Sequence, residues 1–177
     1  TQRDVTRMAV PESLQGVLAA RIDGLPQGAR QVLQLASVIG RVFSLSLLAA
    51  IAGRPGLEDT LVILQRAQMV HRRDQASETQ YAFKHVLTQA AAYDTLLRRA
   101  KRALHRRVAE ALERLYPERI EEQLGLLAHH WEQAGDTARA VGYLRRAGEQ
   151  AATLYANTEA VGYLSRALNL IPADQLL

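Results

Sequence analysis

Apolar residues recur along this chain in two rhythms. Over most of its length they come every three or four positions, the spacing that gathers side chains on one face of a helix; in one stretch they alternate, as in a strand. Leu14, Val17, Leu18 and Ile22 share a face in PESLQGVLAARI. With Pro11 where a first turn tolerates proline, they predict a helix from about 11 to 23, stopped by Gly24 and Pro26. ARQVLQLASVIG predicts a second, with Ala29, Val32, Leu33, Ala36 and Ile39 buried and Gly40 as a left-handed cap. Ser44 is placed to cap a third, LSLLAAIA, which ends at Gly53, and another starts near Leu57 with Leu61, Leu64 and Ala67 inward. From Val70 to His85 the text alternates at both ends, Val70 and Arg72 on one arm and Tyr81, Phe83 and His85 on the other, around a polar middle. This predicts a β-hairpin with a loose tip. Three short helices and a hairpin make a winged helix, after which VLTQAAAYDTLL, 86–97, resumes helix.

Beyond Leu97 the pattern is helical throughout. Leu97, Ala100, Leu104, Val108, Ala111 and Leu115 form one predicted buried stripe, broken at Pro117. Ile120, Leu124, Leu127, Ala128 and Trp131 form another, closed by Gly135, with Asp136 or Thr137 to cap the next start. Ala140, Val141, Leu144, Ala147, Gly148, Ala151 and Leu154 continue it; Ala160, Val161, Leu164, Ala167, Leu168 and Ile171 follow, and Pro172 ends the run. Within these helices AVGYLRRA, 140–147, returns as AVGYLSRA, 160–167. Helices that present the same small-then-large surface can stack repeatedly, each covering the one before. The spacing matches a tetratricopeptide pattern imperfectly, one helix fitting both roles of a pair. The expected fold class is mainly α: a winged helix of three helices plus one β-hairpin, followed by a tetratricopeptide-like α-hairpin solenoid. An ordinary helical bundle with a chance repeat is the alternative.

Composition narrows the classes. At 177 residues, with 48% apolar and 23% charged residues, the chain is long and apolar enough to bury a core. No apolar run approaches the ~20 residues a membrane span needs, and TQRDVTRM lacks the apolar core of a signal peptide, so a cytoplasmic location is expected. Without cysteine there is neither disulfide framework nor thiolate metal site. The net charge of +4 selects neither nucleic acid nor an acidic protein as partner. The chain opens at Thr1 inside what reads as ordinary domain sequence, which predicts a segment of something longer.

Candidate chemistry is sparse. Lys84 and Lys101 are the two lysines, and neither follows the glycines of a phosphate-binding loop; GxGxxG is absent as well. ATP hydrolysis by these residues alone is therefore not expected. His129 and His130 are adjacent on a helix and point about 100° apart, and His71 and His105 have no acidic partner at ligand spacing, so neither a metal site nor a Ser/His/Asp constellation is expected. The densest positive charge is RRAKRALHRR: Arg98, Arg99, Lys101, Arg102, Arg106 and Arg107 all lie off the predicted stripe. They read either as a solvated face balanced by Glu110 and Glu113 or as a basic docking face. In the helix where a winged helix would read DNA, Glu58 and Asp59 stand near the N-terminal end and would repel phosphates, with Arg66 further along; Arg72, Arg73 and Lys84 leave a wing contact open. Nucleic acid is thus not the expected partner, and a DNA-binding regulator stands as the alternative.

Several blocks together, VPESLQGVLAARIDGLPQGARQVLQLASVIGRVF, YAFKHVLTQAAAYDTLL, LHRRVAEAL, LAHHWEQAGDTARAVGYLRRAGEQA and NTEAVGYLSRALNLIP, resemble the region after the ATPase core in large bacterial signalling proteins of the AAA-like STAND class. Such proteins are fused to class III adenylate or guanylate cyclases or to LuxR-type regulators. The resemblance implies that 1–25 is the tail of an ATPase lid, 26–97 a winged helix and 98–177 the tetratricopeptide-like repeats. It also implies that the fragment holds no cofactor of its own while the full-length protein binds ATP or ADP. Its partners would be the ATPase core and output domain of the same chain, with a protein partner on the repeats and homo-oligomerisation left open. In this class a histidine in a motif resembling Met-His-Asp senses nucleotide phosphate; FKHVLTQAA places His85 there, with Val86 where the aspartate would stand.

Overall fold

The computed structural model describes residues 12–75 and 78–171, with side chains from 16 to 73 and from 78 to 171. Pro11, the side chain of Leu14, the hairpin tip at 76–77 and Pro172 lie outside what is described, as do residues 1–11 of the lid tail expected from the resemblance. The chain is mainly helical, with one small antiparallel sheet. Helix α1, Glu12–Asp23, buries Leu18 and Ile22, while Val17 of the predicted stripe faces solvent. Helix α2, Gln27–Ile39, buries the five positions its spacing marks. Gly40 does cap it, its N–H donating to Ala36 O at 3.2 Å, but with φ 149° and ψ −174° rather than the expected left-handed helical turn.

That extended exit leads into a strand that periodicity did not announce. β1, Val42–Ser44, is three residues long, too short for alternation to register. It pairs with β3, Glu78–Phe83, which also pairs with β2, Val70–Gln75, so the hairpin becomes a three-stranded sheet in the order β1-β3-β2. Phe43 stacks on Tyr81 and meets Phe83 edge-on, with ring centres 6.1 and 5.8 Å apart. Ser44 closes the strand and opens helix α3, Leu45–Ala52, its Oγ accepting from Leu47 N–H at 3.1 Å. Helix α3 ends at Gly53 with φ 60°, the left-handed conformation that favours glycine. Helix α4, Leu57–Arg66, turns Leu57, Leu61 and Leu64 inward; Ala67 is only half-buried at its end.

Helix α5, Val86–Asp94, packs on α1 and α2, and helix α6, Arg98–Leu115, packs on α2 and α3 before the stack begins. The buried stripe of α6 is His105, Val108, Ala109 and Leu112, with Ala111 beside it. This corrects the sequence-based stripe: Leu97 is 79% exposed, and a histidine replaces Leu104 at the centre of the seam. The reason is that α6 is covered from two sides, by α2 and α3 and by α7, so its inward face is wider than one apolar row. One core runs without interruption from Ile22 to Ala140.

After a 3₁₀ segment at Pro117–Gln123 come helices α7, Leu124–Ala134, α8, Thr137–Thr153, and α9, Asn157–Leu170, each packed chiefly on the one before. Gly135 (φ 75°) ends α7 and Asp136 caps α8 by accepting from Arg139 N–H. The eight-residue repeat sets its alanines and its tyrosine alike in both copies. Ala140 and Ala160 are buried, as are Ala147 and Ala167. Tyr143 reaches back two helices to donate to Glu113 of α6 at 2.8 Å, and Tyr163 reaches back two helices to lie over Gly125 of α7, where a Cβ would fall 2.5 Å from its hydroxyl. Arg146 pairs with Glu121, and Arg166 with Glu132. Gly148 lets α9 close in: a Cβ there would sit 2.7 Å from Leu164 Cγ.

Candidate functional site

The junction of α5, α6 and α7 gathers most of the chemistry. Because His105 occupies a buried position of α6 and His130 a buried position of α7, packing the two helices places their Nδ1 atoms 2.8 Å apart. Tyr93 of α5 completes the row, its hydroxyl 3.0 Å from His105 Nε2. His129 is exposed at the rim, its ring centre 5.6 Å from that of His105. Burial is the main force depressing the basicity of the pair, reinforced by the neighbouring imidazoles: His105 is lowered to about 4 and His130 to about 3. His129, though at the rim, is lowered as well, by the partial loss of hydration around its ring and by the nearby Arg166, against the opposing Glu132. Two neutral imidazoles can share one N–H in the Nδ1···Nδ1 contact. Whichever donates, His130 Nε2 stays buried without a partner among the described residues.

Sequence reasoning missed this row, although a signal existed: His105, Val108, Ala109 and Leu112 follow the i, i+3, i+4, i+7 spacing of a buried face. Among the described residues no three His, Asp or Glu side chains converge as metal ligands.

Tyr93 also forms one wall of a cleft of about 590 Å³ beside the histidine row. Arg98, Arg99, Lys101 and Arg102 line it from the first turns of α6, with Glu132 of α7 opposite. Lys101 lies 4.1 Å above the Tyr93 ring and 3.6 Å from Asp94. Arg102 rests on Gly135, where a Cβ would collide with its guanidinium. The six predicted basic residues are thus split. Arg106 turns toward Asp136 at 3.7 Å and the Trp131 ring, and Arg107 donates to Ile51 O in α3, so both belong to the packing. Glu113, expected to balance this charge, instead accepts from Trp131 Nε1 and Tyr143 Oη.

His85 lies at the junction of β3 and α5, exposed, at the N-cap position, and its side chain makes no hydrogen bond among the described residues. It does not line the basic cleft. Glu58 and Asp59 stand exposed in the first turn of α4, and Lys84 of the hairpin arm donates to Gln68.

The far end of the stack carries a different feature. Leu144 is fully buried, but its counterpart in the second copy of the repeat, Leu164, is 39% exposed, flanked by Val161 at 64% and Leu168 at 57%. Leu154 and Tyr155, at the α8–α9 turn, are exposed too. The sequence placed Leu154, Val161, Leu164 and Leu168 on buried stripes; they form an open apolar edge because α9 is covered by α8 and has no described helix on its other side.

Among known proteins, the chain is 30% identical over 161 residues to an uncharacterized protein of Rhizobium meliloti (strain 1021), a match covering 89% of this chain and 16% of that one. The chain thus spans a small part of the length of the curated relative it matches. No protein-family model matches it. No solved structure matches it either. No helix among the described residues is long and apolar enough to cross a membrane.

Proposed function

We propose that this chain is a non-catalytic regulatory and protein-interaction module of a larger signalling ATPase, coupling nucleotide state to an output domain such as a nucleotide cyclase. Helices α2 to α4 with the three-stranded sheet are the winged-helix part, and α6 to α9 the tetratricopeptide-like part. The observation that carries the reading is the open edge of α9. The repeat that buries Leu144 leaves Val161 and Leu168 uncovered and Leu164 covered only on its α8 side, a surface suited to a further helix from a partner. His85, exposed and without a hydrogen-bond partner among the described residues, is the residue that would meet the phosphate of a nucleotide held by the ATPase core. ATP or ADP belongs to that core, and the module works in the cytoplasm.

ATP turnover by the chain is the direct test. None is expected; turnover that persists through purification and is lost in His85→Ala overturns the reading. A duplex-DNA titration is the second arm. The carboxylates of Glu58 and Asp59 face outward where a reading helix would meet phosphates, so sequence-selective binding is not expected. Micromolar selective binding that falls steeply with salt and disappears in R72A/R73A would favour a DNA-binding regulator instead.

A further inference from the structure

We propose that the cleft between the start of α6 and the end of α7 binds a small, multiply charged phosphate anion, such as the phosphate chain of a nucleotide. Four cationic side chains, Arg98, Arg99, Lys101 and Arg102, line one concave space. Glu132, the acid facing them, is engaged by Arg166, and Lys101 shares Asp94. Arg98, Arg99 and Arg102 make no ion pair among the described residues. Like charges gathered on one wall repel, and a polyanion seated among them removes that repulsion while gaining charge-assisted hydrogen bonds from three guanidinium forks.

The backbone adds to the same field. Helix α6 begins with no side-chain cap and no acidic residue in its first turn, so its free N–H groups and positive dipole end lie beside these arginines. Two walls are held in shape. Gly135 gives Arg102 a close seat on the backbone, and Tyr93, beneath Lys101, is anchored by its contact with His105. The volume falls in the range of small-ligand sites, roughly 300–1,000 Å³. Asp94 and Glu132 confine the positive surface, so an extended duplex backbone would meet carboxylates on leaving the cleft. The chemistry therefore fits a compact phosphate ligand better than a nucleic acid.

Calorimetric titration of the chain with sodium tripolyphosphate, and separately with ATP, at low and moderate salt tests this. Both should bind at one site, with affinity falling as salt rises, and R98A/R99A should weaken both by about tenfold or more while leaving the thermal melt unchanged. Equal affinity for the two ligands means that the phosphate chain alone is read; tighter ATP means that the nucleoside also contributes; each supports the site. Arg145→Ala, on the exposed face of α8, serves as the control for general charge. No binding by the wild-type chain, equal weakening by Arg145→Ala, or binding of duplex DNA without binding of either small ligand would overturn the proposal. Because neither ligand need be hydrolysed, the outcome is separate from that of the turnover test.

Discussion

The imidazoles of His105 and His130 face one another through their Nδ1 atoms at 2.8 Å, inside the seam that joins α6 to α7. The unfolded chain takes up protons at both side chains near pH 6.5, the ordinary histidine value, whereas the folded chain does so only near 4 and 3. Stability present above pH 6.5 is therefore lost as the pH falls through the interval down to those values. Around the pair stand Tyr93, Lys101, His129, Glu132 and Arg166; Lys101 disfavours a charge on His105, and Arg166 disfavours one on the neighbouring His129. Denaturant unfolding at a series of pH values should show a decline on the order of 5 kcal/mol between pH 6.5 and 4, both side chains together.

Removing the pair as a unit isolates that contribution. His105→Leu or His130→Leu alone strands the remaining Nδ1 in the core and should cost about 1–3 kcal/mol. The double variant leaves nothing stranded except the Tyr93 hydroxyl, which is half-buried and within reach of water. It should cost less than the two single changes summed and should flatten the acid slope, as read by double-mutant analysis across pH.

Glu113 holds three helices together through one oxygen, which accepts from Trp131 Nε1 at 2.9 Å and from Tyr143 Oη at 2.8 Å. Burial and the adjacent carboxylate push the Tyr143 phenol up to about 12. Glu113→Ala should destabilise by about 1–3 kcal/mol by leaving both donors unpaired, and Glu113→Gln, which keeps an acceptor, by clearly less. Urea unfolding monitored by Trp131 fluorescence reports both.

Gly148 and Leu164 form a tight pair across α8 and α9. Gly148→Val should cost about 1–3 kcal/mol by overpacking, and Leu164→Ala should recover part of that loss rather than add to it. A thermal-melt cycle of the four proteins gives the coupling; additive losses would show that the close approach is not what selects glycine.

The α9 edge should behave in the opposite way. Val161→Glu with Leu168→Glu should leave stability within about 0.5 kcal/mol, since both side chains already face water. Under the proposed reading, the same pair introduced into the full-length protein should uncouple nucleotide from output. Unaltered regulation would remove the edge as the working surface.

Much of this fold was legible where neighbours act over short distances. The Ser44 cap, the helix end at Gly53, the Asp136 cap and the hairpin from Val70 follow from residues a few positions apart, and each stands where expected. Burial decided by distant elements was not legible. His105 went unnoticed because α6 is covered on two sides, and Val161 and Leu168 read as buried because an apolar stripe does not say whether anything covers it. The basic cleft was half visible: RRAKRALHRR announced the charge, but only the packing of α7 and α3 shows that Arg106 and Arg107 are spent on Asp136 and Ile51 O, leaving Arg98, Arg99, Lys101 and Arg102 around a hollow.

The backward reach of Tyr143 and Tyr163 has a mechanical result. Each ties its helix to the second one before it, skipping the immediate neighbour, so no joint between α6 and α9 can swing without parting a contact made further down the row. A displacement of α9 would thus have to part contacts on α7 and strain those that join α8 to α6, and α6 is itself linked through Arg107 and the Ile51 carbonyl to the sheet-bearing end of the molecule.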